Sequence, residues 1–200
     1  MLRWLKLALV LLLASMPAMA AEDDGLYAPP PPAGAAWVRV IGAEDIHLGE
    51  HVLSGVAYEM IMQGGFTISH HSTVQHVQIE AGKHYTIAAI GTQPVLLTDP
   101  PLENRARAML VLYNFTDRPA LDLITADGQL KVVEGVATQT SGSRMVQPII
   151  VKLAVAVNGQ TVKELNELQL QRGESYSIIA TGTGDAITAE LMQNTTEQPN

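Results

Sequence analysis

The sequence predicts an all-β protein with two tandem β-sandwich modules. The first observation is an internal repeat, because residues 77–92 are echoed by residues 168–183 without a gap. The second is a series of short aliphatic and β-branched runs divided by glycine turns, with no helical period among them. The third is a proline-containing break near the middle of the chain. Together they indicate one sandwich on each side of a short linker.

Each copy of the repeat has the spacing of a tyrosine corner. Gly82 precedes Tyr85 in the first copy, and Gly173 precedes Tyr176 in the second. The glycine allows a tight turn, and the tyrosine hydroxyl can return to backbone groups a few residues upstream. We therefore predict that these four residues are structural.

The N-terminal residues 1–20 have the pattern of a cleavable signal peptide. Basic Arg3 and Lys6 precede an apolar run at 7–13, and small residues follow at 18–20. The apolar run is short for a membrane span. We expect export to the periplasm, followed by a Pro-rich N-terminal segment at 21–34 that is either a stiff extended spacer or a disordered leader.

The first module is predicted to cover residues 35–98. Alternating apolar residues open it, and glycines at 64 and 65 are expected to end a long second strand region. Its predicted strand regions are 37–41, 52–62, 66–68, the repeated segment at 77–92, and 95–97.

A linker at 99–107 is followed by the second module at 108–192 and a polar tail at 193–200. Asp127-Gly128 and Asn158-Gly159 each predict a two-residue β-hairpin turn. The repeat offset rises from 72 at Val38 to 91 at Tyr85, so the second module carries 19 more residues. We expect much of this surplus in a polar loop at 135–144, and long loops often carry function.

Bulk composition restricts the function. The net charge of −8 makes nucleic acid an unfavourable partner, since phosphates are repelled. The chain has no cysteine, so its cores are held by packing without disulfides, as suits a bacterial exported protein.

Few residues suggest catalysis or metal binding. Residues 173–177 resemble a nucleophile elbow, but Ser177 replaces the final glycine, and a turn explains them. His70, His71 and His76 are clustered in the sequence. If residues 69–79 form one strand, His70 and His76 share a face near each other or near His84, and three such histidines could bind a metal; a solvated face is favoured. We predict no catalytic residue, no metal and no cofactor.

Several motifs then carry a family likeness in their order and spacing. They are Leu26-Tyr27-Ala28-Pro29, Trp37-Val38-Arg39-Val40, Pro100-Pro101 with Arg105-Ala106-Arg107, Tyr113-Asn114-Phe115-Thr116-Asp117, Thr125-Ala126-Asp127-Gly128, and Arg172-Gly173-Glu174 with Tyr176. With these motifs the sequence resembles the AlgF family of periplasmic alginate O-acetylation proteins over essentially the whole mature chain.

The resemblance implies an accessory protein that is not itself an enzyme. It would bridge a membrane-bound O-acyltransferase and periplasmic SGNH-type acetyltransferases that acetylate alginate. One alternative is a transient acetyl carrier or acetyltransferase that uses Ser175, Ser141 or Ser143. Another is an alginate-binding module with Trp37 or Tyr58 as sugar platforms, although the acidic chain permits only a weak polymer contact.

Insertion length and charge suggest the protein-contact residues. They are Arg105 and Arg107 in the linker, with Thr140, Ser141, Ser143 and Arg144 in the predicted loop.

Overall fold

The computed structural model describes residues 30–43 and 46–196. The predicted signal peptide and most of the Pro-rich segment lie outside the described residues, as do the last four residues of the predicted tail. Within the described ranges all regular elements are strands, which confirms the all-β prediction. No helix there is long and apolar enough to cross a membrane.

The first half of the described chain contains eight strands in two sheets. One sheet has the order β4-β1-β7-β8 and the other β3-β2-β5-β6, and their facing aliphatic side chains form one core. The strands are β1 (Ala35–Ile41), β2 (Ile46–Leu48), β3 (His51–Leu53), β4 (Glu59–Met62), β5 (Gly64–His70), β6 (Thr73–Ile79), β7 (His84–Ala88) and β8 (Val95–Asp99).

The second half repeats this arrangement. Its main sheets have the orders β12-β9-β17-β18 and β11-β10-β14-β15, and a two-stranded sheet joins β13 to β16. The strands are β9 (Ala108–Thr116), β10 (Ala120–Thr125), β11 (Lys131–Ala137), β12 (Thr140–Val146), β13 (Ile150–Val151), β14 (Leu153–Val157), β15 (Gln160–Glu164), β16 (Leu168–Gln169), β17 (Ser175–Gly182) and β18 (Thr188–Gln193).

The two halves share their strand order and their tyrosine corners. In each half the opening strand pairs in parallel with the strand that begins at the corner, β1 with β7 and β9 with β17. The Tyr85 hydroxyl accepts a hydrogen bond from the Glu80 amide at 3.1 Å, and Tyr176 accepts one from the Gln171 amide at 3.1 Å. The Tyr176 hydroxyl also donates to the Gln169 carbonyl at 3.3 Å.

Two strand regions considered in the sequence, 52–62 and 69–79, are not single strands. Residues 52–62 are not one strand, because the chain leaves the sheet between β3 and β4, and Gly64 begins β5. Residues 69–79 are also broken, since the chain turns after His70 with a positive φ of 50° at His71. Sequence alternation alone did not reveal these turns.

The predicted functional loop at 135–144 consists of the end of β11, a tight turn and the start of β12, two strands that lie in different sheets. Strands β11 and β12 meet at a tight turn where Gln139 has a φ of 60°, and β12 pairs with β9 along its whole length. Part of the surplus lengthens strands, because β10 and β11 have 6 and 7 residues against 3 each in β2 and β3. Polar side chains misled the prediction, since an edge strand tolerates them on its solvent side.

Strands β1, β7, β9 and β17 are buried on both faces. One face of each strand fills its own sandwich core, and the other joins a third cluster shared by the two halves. That cluster contains Ile41, Ala88, Met109, Val111, Tyr113 and Ile179. The halves therefore pack against each other through their β1-containing and β9-containing sheets, within one compact unit that begins at Pro32.

Candidate functional site: a buried polar junction

Arg39 occupies the centre of the packing surface between the halves, and its exposed fraction is 0%. Its Nε donates to Thr86 Oγ1 at 2.9 Å, and Nη1 donates to Asn194 Oδ1 at 2.7 Å. Its Nη2 donates to Tyr113 Oη at 2.9 Å and to Ser177 Oγ at 2.8 Å. A buried guanidinium is tolerated only when it is hydrogen-bonded and compensated, and this network supplies the hydrogen bonds.

Asp99 supplies the opposite charge through bridging hydroxyl groups. Tyr58 Oη and Thr86 Oγ1 donate to its Oδ2 at 2.8 and 2.6 Å, and Tyr113 Oη donates to its Oδ1 at 2.6 Å. The Arg39 guanidinium also lies 4.6 Å from the centre of the Tyr58 ring. Hydrogen bonds to a carboxylate are short and strong in such a setting, so the cation and anion are linked by neutral donors.

Each half contributes an equivalent pair to this network, a hydroxyl donor and a side-chain oxygen that accepts from it. Thr86 on β7 donates to Asp99, just as Ser177 on β17 donates to Asn194 Oδ1 at 2.7 Å. Asp99 and Asn194 lie at equivalent ends of the edge strands that pair with β7 and β17. The repeat therefore places a similar pair in each half, and we call Thr86 with Asp99 and Ser177 with Asn194 the two arms of the junction.

The central cation has no second copy. Arg39 lies opposite Thr86 in the β1–β7 register, whereas Val111 lies opposite Ser177 in the β9–β17 register. Val111 belongs to the apolar cluster between the halves. One arginine thus serves both arms.

Burial keeps the tyrosines of the junction protonated. Desolvation, strengthened by the negative charge of Asp99, raises the pKa of Tyr58 and of Tyr113 above the ordinary tyrosine range. Desolvation also lowers the pKa of His84, whose ring stacks on Trp37 at 4.8 Å and meets the edge of Tyr58 at 5.0 Å. The aromatic donors are consequently neutral, with a neutral imidazole favoured beside them.

A cavity of about 690 Å³ adjoins the network. Its lining includes His84, Asp99, Arg105, Arg172 and Ser175. The Asp99 oxygens already accept the junction hydrogen bonds, and Ser175 Oγ accepts one from the amide of Asn194 at 2.9 Å. The arrangement is thus suited to holding the halves together, with room for a small polar ligand.

The structure separates the predicted contact residues into three places. Arg105 lies at the cavity beside the junction. Thr140, Ser141 and Ser143 lie along β12, where they pair with β9. Arg107 and Arg144 line a second, mainly apolar groove of about 310 Å³ in the second half. Arg107 of the predicted linker and Arg144 of the predicted loop therefore line the same groove.

The histidines do not converge. The rings of His70 and His71 are 4.1 Å apart, His76 Nδ1 is 3.1 Å from Thr67 Oγ1, and His84 lies at the junction. In the part of the chain that the structure describes, no group of three ligating side chains could hold a metal ion. The turn at His71 is the reason that His70 and His76 do not share one strand.

Sequence reasoning missed Arg39, Asp99 and Asn194 as junction residues. Arg39 alternates with apolar neighbours, which is the usual pattern of a solvent-facing position. Asp99 fell in the predicted linker, and Asn194 in the predicted tail. The available signal was the internal repeat, because aligning it places an arginine opposite Val111.

Comparisons with known proteins match one family over most of the chain. The family described as "Alginate O-acetyl transferase AlgF" matches residues 8–177. The chain is 31% identical to "Alginate biosynthesis protein AlgF" of Pseudomonas syringae pv. tomato, covering 88% of this chain and 83% of that one. It is 31% identical to the protein of that name from Pseudomonas aeruginosa, over 90% and 89% of the two chains.

A solved structure is also similar. It is the C-terminal domain of AlgF from P. aeruginosa, with 30% identity and a TM-score of 0.41, covering 44% of this chain and 99% of that one.

Proposed function

The chain belongs to the AlgF family, and on this premise we propose that it is a periplasmic, non-catalytic adaptor required for O-acetylation of alginate. The relatives are named as alginate biosynthesis proteins, and the family description refers to O-acetyl transfer. The proposed partners are a membrane-bound O-acyltransferase and periplasmic SGNH-type acetyltransferases. The proposal assigns this chain the task of holding them together.

The observation that carries the proposal is the union of two sandwiches into one body. The Arg39 network and the surrounding apolar cluster join them, and each half keeps exposed aliphatic side chains. In the first half these include Val52 and Val74, and in the second Leu130 and Ile150. Exposed apolar residues in both halves would allow one chain to contact two proteins at a set spacing.

The positions of the serines support a non-catalytic role. Ser177 is fully buried and donates to Asn194. Ser141 and Ser143 lie in a regular edge strand, and the partner of Ser175 Oγ is the Asn194 amide. An acetyl-carrying serine needs a neighbouring base to activate its hydroxyl, and an amide nitrogen does not act as one.

A reconstitution with purified proteins tests the proposal. The chain without its predicted signal peptide is immobilised, and the acetyltransferase and the detergent-solubilised acyltransferase are applied separately and together. We expect simultaneous retention of both. Failure to retain either enzyme would contradict the bridging role.

Two controls address the other functions. An acetyl donor with a labelled acetyl group is incubated with the chain, and we expect no covalent label; label that Ser175→Ala removes would contradict the non-catalytic role. Electrophoresis through gels with and without alginate tests for direct polymer contact. Strong retardation by alginate without enzyme retention would favour an alginate-binding module.

A further inference from the structure

The second sandwich has an apolar groove that opens its core to solvent. Its volume is about 310 Å³, and its lining includes the core residues Leu110, Leu153 and Leu170. Leu130 and Ile149, which also line it, are 55% and 51% exposed. Ile150, next along the chain, is 64% exposed. The groove thus lies within a larger exposed aliphatic surface.

The charged residues of the groove lining are both arginines. Arg107 precedes β9, and Arg144 lies on β12. Arg144 Nη1 donates to the carbonyls of Lys131 and Val132 at 3.1 and 3.3 Å, which orients its guanidinium at the groove. In a chain of net charge −8, this is a local basic site around an apolar centre.

The groove is formed where the second half departs from the repeat. In the first half, β5 and β6 pair without a break over seven positions. In the second half the corresponding hairpin is divided into the β14–β15 and β13–β16 pairs. The Gly82 amide donates to the carbonyl of Ala35, and the Gly173 amide to that of Arg107, so a buried alanine stands where the second half has an exposed arginine.

We propose that this groove is the docking site for a protein segment that carries an aliphatic or aromatic anchor flanked by carboxylates. The inference rests on the proposed adaptor function and assigns one partner contact to the second half. Interface energy concentrates in apolar anchors that fill pockets, and arginines at the edge recognise carboxylates. We choose a protein segment as the occupant because the exposed side chains of Leu130, Ile149 and Ile150 extend the apolar surface beyond the groove, and a fatty acid inside the groove would leave them exposed.

Fluorescence anisotropy with short labelled peptides tests the inference. The probe has a central Leu-Phe pair between two pairs of glutamates, and the control peptide has lysines in place of the glutamates. We expect saturable binding of the acidic peptide and at least about tenfold weaker binding of the lysine peptide. Raising the salt from about 0.05 M to about 0.5 M should weaken the acidic complex, because exposed charges are screened.

Matched variants locate the binding site. Leu130→Ser and Arg107→Glu should each weaken the acidic complex about tenfold or more, since they remove an apolar contact and reverse a rim charge. Val74→Ser and Lys163→Glu make the same kinds of change at exposed positions outside the groove lining, and they should leave binding unchanged. Circular dichroism checks that each variant is folded.

Three outcomes would overturn the inference. They are no peptide binding, equal binding of both peptides, or equal losses in the groove and control variants. A fourth outcome would overturn the inference in favour of a lipid: displacement of a groove-bound fluorescent dye by dodecanoate but not by the acidic peptide.

The reconstitution distinguishes this inference from the adaptor function. If the acetyltransferase and acyltransferase are retained equally by the wild type and by Leu130→Ser, the adaptor stands and the groove inference fails. If the wild type retains neither enzyme but binds the acidic peptide through the groove, the adaptor fails and the groove remains a peptide site.

Discussion

The two halves of the molecule have the same sheet order but contribute differently to their junction. The first half supplies both charges, Arg39 and Asp99, whereas the second half offers Val111 and Asn194 at the corresponding places. The second half instead carries the groove with Arg107 at its rim. The two halves therefore share their backbone pairing but differ in their side chains. Those of the first half supply the charges of the junction, and we propose that those of the second half bind a partner.

The largest effect is expected from removing the central cation. Arg39→Leu would remove the cation that compensates Asp99 through the bridging hydroxyl groups, and a buried charge left without compensation costs about 3–5 kcal/mol. Urea unfolding measures the loss. The double variant Arg39→Leu/Asp99→Leu should be more stable than the single variant, because neither charge is then buried alone. A single variant as stable as the wild type would show that the junction charges do not hold the halves.

The next largest loss of stability is expected from making the two arms of the junction alike. Asp99→Asn gives the first half the side chain that the second half has, but it leaves Arg39 buried without a counter-charge. We expect a loss of about 2–4 kcal/mol in the free energy of unfolding. Asn194→Ala, on the neutral arm, should cost less, because the charge pair survives. Equal losses in the two variants would contradict the asymmetry between the arms.

The tyrosine corners should differ by a smaller amount. Tyr85→Phe loses the hydrogen bond from the Glu80 amide, with a cost of about 1 kcal/mol. Tyr176→Phe loses the bond from the Gln171 amide and also the one to the Gln169 carbonyl, so its loss should be larger. Thermal unfolding of both variants gives the comparison. A larger loss at Tyr85 would contradict it.

The smallest expected effect is a pH dependence of stability that arises from His84 in the first half. Burial lowers the pKa of His84 in the folded state, so below the unfolded pKa of about 6.5 the unfolded chain binds more protons there. The stability of the wild type should fall as the pH decreases from about 7.5 through that range, and His84→Phe should lack this contribution. Denaturant unfolding of both proteins at each pH isolates it, because the other histidines are shared. Parallel pH profiles would exclude the effect.

Local patterns accounted for much of the fold. The hairpin turn at Asn158-Gly159 needs two successive positive φ values, 49° and 79°, which these residue types favour. The tyrosine corners likewise depend on a spacing of a few residues. Patterns of this kind misled where polarity was taken for a loop, as at Ser143 on β12, and where alternation was extended through the turn at His71.

The sequence by itself determined the all-β class, the internal repeat and the family, because each depends on residue order and short spacings. Only the tertiary structure decided that Arg39, Asp99 and Asn194 meet in a buried network, and that Arg107 and Arg144 share one groove. Those contacts join residues far apart in the chain, and alternation marks which residues share a strand face without stating what covers that face. At Arg39, packing of the second half replaced the solvent that a charged strand residue ordinarily faces.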